Sequence, residues 1–457
     1  MSEFSLPRLL TLLDELLINR SSLRLCVSLS GGLDSMVLLH ALAQLRSEHR
    51  QWQMRAIHVN HQLQSTAGEW AQLCVNWCDK LDVPCTVLAV DVTDIKELGT
   101  EAAARKARYA ALQAELKPDE ILLTAHHADD QLETVLIALM RGSGLDGLAA
   151  MPSLVRFAHA WHARPLLGFT RDALHTWADQ QSLSYINDPS NAHTDYDRNF
   201  LRHEIVPRLK QRWPSSSITG ARAAAHLSDV QSLLDQYVGH DLDQVSDDNT
   251  LHFDALRHWP SARRRAVIRS WLAQNDVLMP STRVLQSLEH DMLRGADDRV
   301  PCTRWDRYAV HRYQGRLYLE KIHRPEQLDE SMPWNWQESL QLPHQLGLLC
   351  MVKTTDPQAS SLAMNASKLP PQLSVQFRHG GEQIQLPGES IHRELKKLLQ
   401  DVNVLPWWRG RVPFIYAGDD LVAVANLWVS ANYVATDAQP ALRLQWLHDK
   451  ISMIYGK

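Results

Sequence analysis

Cysteine is scarce in this chain. The six that occur, Cys26, Cys74, Cys78, Cys85, Cys302 and Cys350, are scattered through 457 residues, which excludes a disulfide-stapled scaffold and reads as free thiols in a reducing compartment. Long apolar runs are also missing. Met1 to Arg20 contains acidic residues and no such run, so neither a signal peptide nor a membrane anchor is expected, and a cytoplasmic location is. Neither sign of charge dominates: the net charge is -5 and the pI about 6.5. That balance argues against wholesale nonspecific binding to nucleic acid and leaves local basic patches as the only footprints. Internal repeats and low-complexity tracts are lacking too. With 45% hydrophobic and 22% charged residues, the chain is globular and long enough for about two to four domains.

The most informative string is Ser30-Gly31-Gly32-Leu33-Asp34-Ser35. It follows the apolar stretch Leu23 to Leu29 and precedes Met36 to Leu42, so a small, hydroxyl-bearing turn joins a strand to a helix. Two glycines let backbone approach an anion, the serines add hydroxyl donors, and the first N–H groups of the helix point at bound oxygens. Asp34 cannot bind phosphate directly, which makes it the candidate holder of a metal ion, Mg²⁺. No lysine follows the glycines as in the GxxxxGK[ST] loop, and the GxGxxG spacing of dinucleotide binders is absent. The string resembles the pyrophosphate-binding loop of the ATP pyrophosphatase superfamily, whose members split ATP between the α and β phosphates. That resemblance implies AMP and pyrophosphate as products.

Strand-like runs recur around this loop. Arg24 to Leu29, Met54 to Asn60, Pro84 to Asp91 and Glu120 to His126 alternate with helical stretches at Ser35 to Ser47, Ser65 to Leu81, Glu101 to Leu116 and Asp129 to Arg141. The alternation predicts an α/β fold with a doubly wound parallel sheet. Ligands on such sheets bind at the carboxyl ends of strands, where Ser30 to Ser35 and the segment after Thr124 both fall. That second segment, His126-His127-Ala128-Asp129-Asp130-Gln131-Leu132-Glu133-Thr134, places Asp130 and Glu133 on one helical face. For Asp129 an acid favoured by the helix dipole explains as much as function does. His126 and His127 read equally as turn caps or ligand contacts. Arg105 and Arg108 stand at i,i+3 on a helical stretch, and a solvated basic face or an anion site both fit. Further on, Asp188-Pro189-Ser190-Asn191 forms a turn. Arg198 and Arg202 then stand at i,i+4, with Arg208, Lys210 and Arg212 extending the charge.

Taken together these strings resemble the tRNA(Ile)-lysidine synthetase family. The resemblance is carried by SGGLDS at Ser30 to Ser35, EAAARKARY at Glu101 to Tyr109, HHADDQLET at His126 to Thr134, RGSGLDGLAAM at Arg141 to Met151, and DPSN with RNFLR between Asp188 and Arg202. It continues more thinly in Arg378 to Glu382, Leu395 to Leu399, Pro406 to Arg409 and Pro413 to Tyr416. The resemblance implies an ATP-dependent ligase that activates C2 of the wobble cytidine in the CAU anticodon of tRNA(Ile). L-Lysine then replaces the oxygen, through an adenylated intermediate, and forms lysidine. It further implies ATP contacts from Ser30, Gly31, Gly32, Leu33, Asp34, Ser35 and His126, and catalytic roles for Asp34, Asp130 and Glu133. Asp130 and Glu133 are also candidates for the lysine ammonium, with Arg105 or Arg108 for its carboxylate. Arg198, Arg202 and Arg208, and distally Arg378, Lys396 and Arg409, are candidates for tRNA.

The chain divides into a catalytic domain at 1–215, a small mainly helical domain at 216–323, a Pro-punctuated linker at 324–341, and a C-terminal α+β domain at 342–457 expected to bind the acceptor stem. Ile218 to Val245, Leu256 to Gln274 and Thr282 to Leu293 are helix-like, and Arg307 to Glu320 reads as a hairpin around Gln314-Gly315. Trp407 and Trp408 beside Pro406 fit core packing better than base stacking. Two other functions compete. A tRNA-thiolating relative would need paired CxxC cysteines, whereas Cys74 and Cys78 are spaced CxxxC; a catalytically silent tRNA binder would have no reason to keep Asp34, Asp130 and Glu133 together. A monomer and a homodimer are equally compatible with the chain.

Overall fold

The computed structural model describes residues 3–17, 23–62, 64, 66–93, 95, 99–188, 196–247, 250–275, 277–294, 300–322, 331–354, 362–435, 441–448 and 454. Pro189, Ser190 and Asn191, and the first part of the expected linker at 324–330, lie outside the described residues. The chain forms two units, Met1–Gln236 and Tyr237–Lys457.

In the first unit a six-stranded sheet has the order β3-β2-β1-β4-β6-β5. Its strands are β1 (Arg24–Ser28), β2 (Gln53–Asn60), β3 (Cys85–Ala89), β4 (Glu120–Leu123), β5 (Leu154–Phe157) and β6 (Ala160–Ala163). All pairings are parallel except β5 with β6. The helices Leu33–Glu48, Ala67–Lys80, Thr100–Glu115 and Ala128–Met140 follow β1 to β4 in turn. The elements expected from the sequence are all present, each within a few residues of its expected ends. The chain winds outward from β1 through β2 to β3, then returns to place β4 on the other flank of β1. The switch point therefore falls between β1 and β4, the place where sheets of this kind open a ligand crevice beyond the carboxyl ends of the strands. Helix Leu33–Glu48 is apolar nearly all round, with Met36, Val37, Leu38, Leu39, Ala41 and Leu42 each at most 1% exposed, which anchors the phosphate loop rigidly in the core.

The second unit has two hydrophobic cores. Around the first, helices Ser261–Gln274 and Thr282–Arg294 pack with a five-stranded antiparallel sheet, so the mainly helical region expected here also carries a small sheet. Its Tyr308–Tyr313 and Arg316–Lys321 hairpin turns at Gln314 and Gly315 with φ of 47° and 72°, the left-handed pair a two-residue turn requires. Around the second core lie a five-stranded and a four-stranded sheet with helix Leu395–Asp401, an α+β arrangement. Met332–Trp334, within the stretch read as linker, is an edge strand paired with Leu373–Gln376. Trp334, 2% exposed, draws it in. Trp408 packs against this core and Trp407 stacks on His311, in line with a packing role.

Candidate active site

The phosphate loop is built by one backbone requirement and a ring of short bonds. Gly31 has φ +83°, and a Cβ there would stand 2.6 Å from Ile186 Cδ1 and 2.9 Å from Cys74 Sγ, so only glycine fits. Ser35 Oγ donates to the Gly32 carbonyl at 2.9 Å. With that proton committed, Ser30 Oγ donates to Ser35 Oγ across 3.0 Å and accepts from the Gly32 N–H at 3.4 Å. The serine hydroxyls thus brace the turn. The first helical bond runs from Met36 N–H to Gly32 O, which leaves the N–H groups of Leu33, Asp34 and Ser35 at the open helix end, where an anion is favoured.

Across the crevice, helix Ala128–Met140 begins with His127 as its N-cap and a reciprocal bond from His127 N–H to Asp130 Oδ2 at 3.1 Å. His127 Nε2 lies 3.6 Å from Asp34 Oδ2 and 3.4 Å from Asp130 Oδ2. The two loops read from the sequence therefore meet through one imidazole. Burial opposes charge on this ring, but Asp130, Asp34 and Asp129 outweigh it and raise its pKa to about 9. Nδ1, 3.3 Å from the Asp130 N–H, stands where only a neutral ring accepts. Three carboxylates within 4 Å oppose one long capping bond and favour the protonated ring.

Asp130 and Glu133 do share a face, and the structure adds both arginines from the segment 197–212. Arg202 donates to Asp130 Oδ1 at 2.8 Å and to both oxygens of Glu133 at 2.8 and 2.9 Å. Arg198 donates to Glu133 Oε2 at 2.9 Å and reaches Asp130 Oδ1 at 3.4 Å. Burial would raise Asp130, yet His127 and the two arginines hold it well below the usual carboxylate range. Arg202 lies in a π-helical turn, Leu201–Ile205, placed before Pro207. Proline lacks the N–H that would continue the ladder, and the widened turn accommodates the gap. Asp129, besides approaching His127, accepts from Arg171 N–H at 2.8 Å and Ser217 Oγ at 3.0 Å and pairs with Lys210, so it fastens neighbouring helices.

His126 ends a chain of hydrogen bonds that the sequence did not signal. Arg164 Nη2 can only donate, to His162 Nδ1 at 3.1 Å. His162 Nε2–H consequently donates to Thr124 Oγ1 at 2.8 Å, and that hydroxyl donates to His126 Nδ1 at 2.8 Å. His126 is fixed as the Nε2–H tautomer. Burial, only partly offset by Asp130 and reinforced by Arg164, Arg198 and Arg105, pushes its pKa down to about 3, so it is a neutral donor. Arg105, half-buried over the Tyr109 ring at 5.0 Å, faces this histidine pair. Arg108 acts instead on His61, whose pKa burial lowers first and the Arg108 guanidinium second.

The remaining candidates are dispersed. Arg208 is 75% exposed beside Glu204, and Lys396 is exposed on helix Leu395–Asp401. Arg378 is partly enclosed with Nε 3.8 Å from Glu382, and Arg409 donates to the Val404 carbonyl at 2.9 Å. No group of three His, Cys, Asp or Glu side chains arranged for a metal occurs among the described residues. Asp34 nevertheless has Oδ1 buried with no hydrogen-bond partner, which fits a cation shared with phosphate oxygens, the usual manner of Mg²⁺. Among the described residues no helix is long and apolar enough to cross a membrane.

An anion nest at the switch point of a parallel sheet, opposed by an acidic helix mouth, defines a PP-loop nucleotide-binding protein, and residues 7–209 match the PP-loop domain family. Residues 251–318 match the TilS substrate binding domain and residues 373–446 the TilS substrate C-terminal domain. The chain belongs to the tRNA(Ile)-lysidine synthase family. It is 40% identical over 431 residues to the tRNA(Ile)-lysidine synthase of Escherichia coli O157:H7, covering 93% of this chain and 96% of that one. The Coxiella burnetii relative is 37% identical over 415 residues, 91% of each chain. That of Alkalilimnicola ehrlichii is 39% identical over 420 residues, 92% of each.

Proposed function

We propose that this chain is an ATP-dependent ligase that joins L-lysine to C2 of the wobble cytidine in the CAU anticodon of tRNA(Ile), in the cytoplasm, releasing AMP and pyrophosphate. The observation that carries the reading is the 3.6 Å approach of His127 to Asp34, which gives the anion nest and the acidic mouth one crevice. A cytosine C2 oxygen is a poor leaving group. Transfer of AMP to it makes the departing species a phosphate monoester, and the Leu33, Asp34 and Ser35 N–H groups are aimed to stabilise charge growing on pyrophosphate. Mg²⁺ held at Asp34 would neutralise the same charge. His126 offers an Nε2–H donor that stays neutral.

The incoming lysine amine has a pKa of roughly 10.4, so only about one molecule in 2,500 is neutral at pH 7. Asp130, held low by its neighbours, is a weak proton acceptor, which favours holding and orienting the ε-ammonium with Glu133 over removing its proton. Arg105 and Arg108 remain the candidates for the lysine carboxylate. Arg198 and Arg202 serve chiefly to hold the two carboxylates, and present their outer edges to RNA. Exposed Arg208 and Lys396, with Arg378 and Arg409, supply tRNA phosphate contacts. The anticodon base is extruded from a loop where it is already partly unstacked.

The test is direct: incubate the protein with ATP, labelled lysine and tRNA(Ile) bearing CAU. Label should enter the RNA in step with AMP release. Formation of ADP, or incorporation from a sulfur donor in place of lysine, would overturn the reading.

A further inference from the structure

Residues 237–457 hold a second chemical constellation, which shares no side chain with the ATP crevice. Cys302, on edge strand Cys302–Trp305, is directly opposite His311 on Tyr308–Tyr313. The Arg312 N–H donates to the Pro301 carbonyl at 2.9 Å. The next pair along, His311 with Cys302, is therefore the non-hydrogen-bonded one, whose Cα atoms approach to about 4.5 Å with side chains adjacent on one face. The thiol and the imidazole thus sit side by side on one face of the sheet, close enough to act on each other. Cys302 is exposed while His311 is only 4% exposed.

On its far side, His311 Nε2 lies 2.7 Å from Glu320 Oε2, and the other Glu320 oxygen is paired with Arg411. Trp407 stacks on the ring, centroids 4.0 Å apart and planes 8° apart. The ring is thus oriented by a carboxylate and clamped by an indole, with Nδ1 left for the thiol. An accessible thiol against such an imidazole is the arrangement that generates a nucleophilic thiolate. Burial works against ionisation of both partners. His311 and Arg304 nevertheless lower the Cys302 thiol, and Cys302 and Glu320 raise His311. The charged groups facing the pair are Arg304, Glu320 and Arg411.

The other cysteines have no such setting. Cys26 and Cys74 are buried, which pushes both thiols up to about 12. Cys85 is lowered by the Cys78 thiol, with burial opposing, but it is partly buried and has no imidazole paired to it by a carboxylate, and Cys350 is partly buried on a C-terminal strand.

We propose that Cys302 is a modification site that forms mixed disulfides with low-molecular-weight disulfides. The thiolate sulfur attacks one sulfur of the reagent; the new S–S bond forms as the reagent's own S–S bond breaks. The electron pair leaves on the departing sulfur, which takes up the proton that Cys302 had passed to His311. The reagent is the oxidant, one half retained on Cys302 and the other released as thiol.

Full-length protein treated with oxidised glutathione near neutral pH, followed by peptide mass mapping, should show the glutathionyl adduct on Cys302 before Cys85 or Cys350. With a chromogenic aryl disulfide at about pH 6, Cys302 should react about tenfold faster than an unstructured cysteine peptide, because an ordinary thiol of pKa about 8.5 is almost wholly protonated there. Cys302→Ser should abolish that phase. His311→Gln and Glu320→Gln should slow it about tenfold and move its pH dependence up to the ordinary thiol range. If His311→Gln fails to fold, the near-isosteric Glu320→Gln decides. A Cys302 that reacts no faster than the peptide, or a Glu320→Gln variant with wild-type rate and pH profile, would overturn the proposal.

Discussion

Gly31 and Asp34 carry the phosphate loop in different ways. Gly31→Ala must place a methyl group against Ile186 and Cys74 at positive φ. The left-handed conformation alone costs about 1–2 kcal/mol, and displacing two packed side chains adds about 1–3 kcal/mol. Denaturant unfolding should show a loss of about 2–5 kcal/mol, and a loss below about 1 kcal/mol would mean that the loop rearranges freely. Asp34→Ala should lower AMP formation about 100-fold or more, the scale of losing one preorganised electrostatic partner, while tRNA retention on filters stays near wild type. Equal loss of both would make Asp34 structural. The glycines, serines and aspartates of this loop were legible because strand, turn and helix are contiguous in sequence. Thr124, His162 and Arg164 were not. His162 stands opposite Leu122 in register only through the parallel β4–β6 pairing, and no local pattern in Ala160 to Ala163 announces it.

Between elements, the mouth of helix Ala128–Met140 and the segment 197–212 are joined by a four-residue ion cluster. The sequence showed Asp130 with Glu133 on one face and Arg198 with Arg202 on another, since i,i+3 and i,i+4 spacing is local information. Their mutual engagement depends on packing across about 65 residues and was not readable. Removing one member leaves a buried carboxylate short of its partner, typically a loss of about 3 kcal/mol or more. Arg202→Ala should therefore destabilise the protein by about that amount. A double substitution with Glu133→Gln should recover at least about 1 kcal/mol of it, and strict additivity in chemical denaturation would contradict the cluster. His127 links the same mouth to pH. Its raised pKa means that the folded protein keeps a proton the unfolded chain has released. The ring's contribution is full below about 6.5, the ordinary value, and is lost as pH rises through about 9. Stability should fall on the order of 3 kcal/mol across that window, and the fall should be shallower in His127→Gln. Identical slopes would place the neutral ring in the folded state.

For the molecule as a whole, the parallel sheet was readable from βα alternation, whereas its order 3-2-1-4-6-5 was not, because strand order is decided by long-range packing. Of the five-stranded sheet of residues 246–321 only the hairpin around Gln314-Gly315 was readable: Ser246–Asp247 and Thr250–His252 are too short to show a period of two. Net charge is negative, so RNA affinity must rest on a few cations. Arg208→Ala and Lys396→Ala should each weaken tRNA binding and lower the slope of log affinity against log salt by about 1; unchanged slopes would remove these residues from the interface. The most direct test of the central claim is a crystal structure with Mg²⁺ and an ATP analogue blocked between the α and β phosphates. The analogue's β and γ phosphates should lie on the N–H groups of Leu33, Asp34 and Ser35, with its α phosphate facing the His127–Asp130 mouth. A nucleotide bound elsewhere, or one that touches only one of the two loops, would contradict the account.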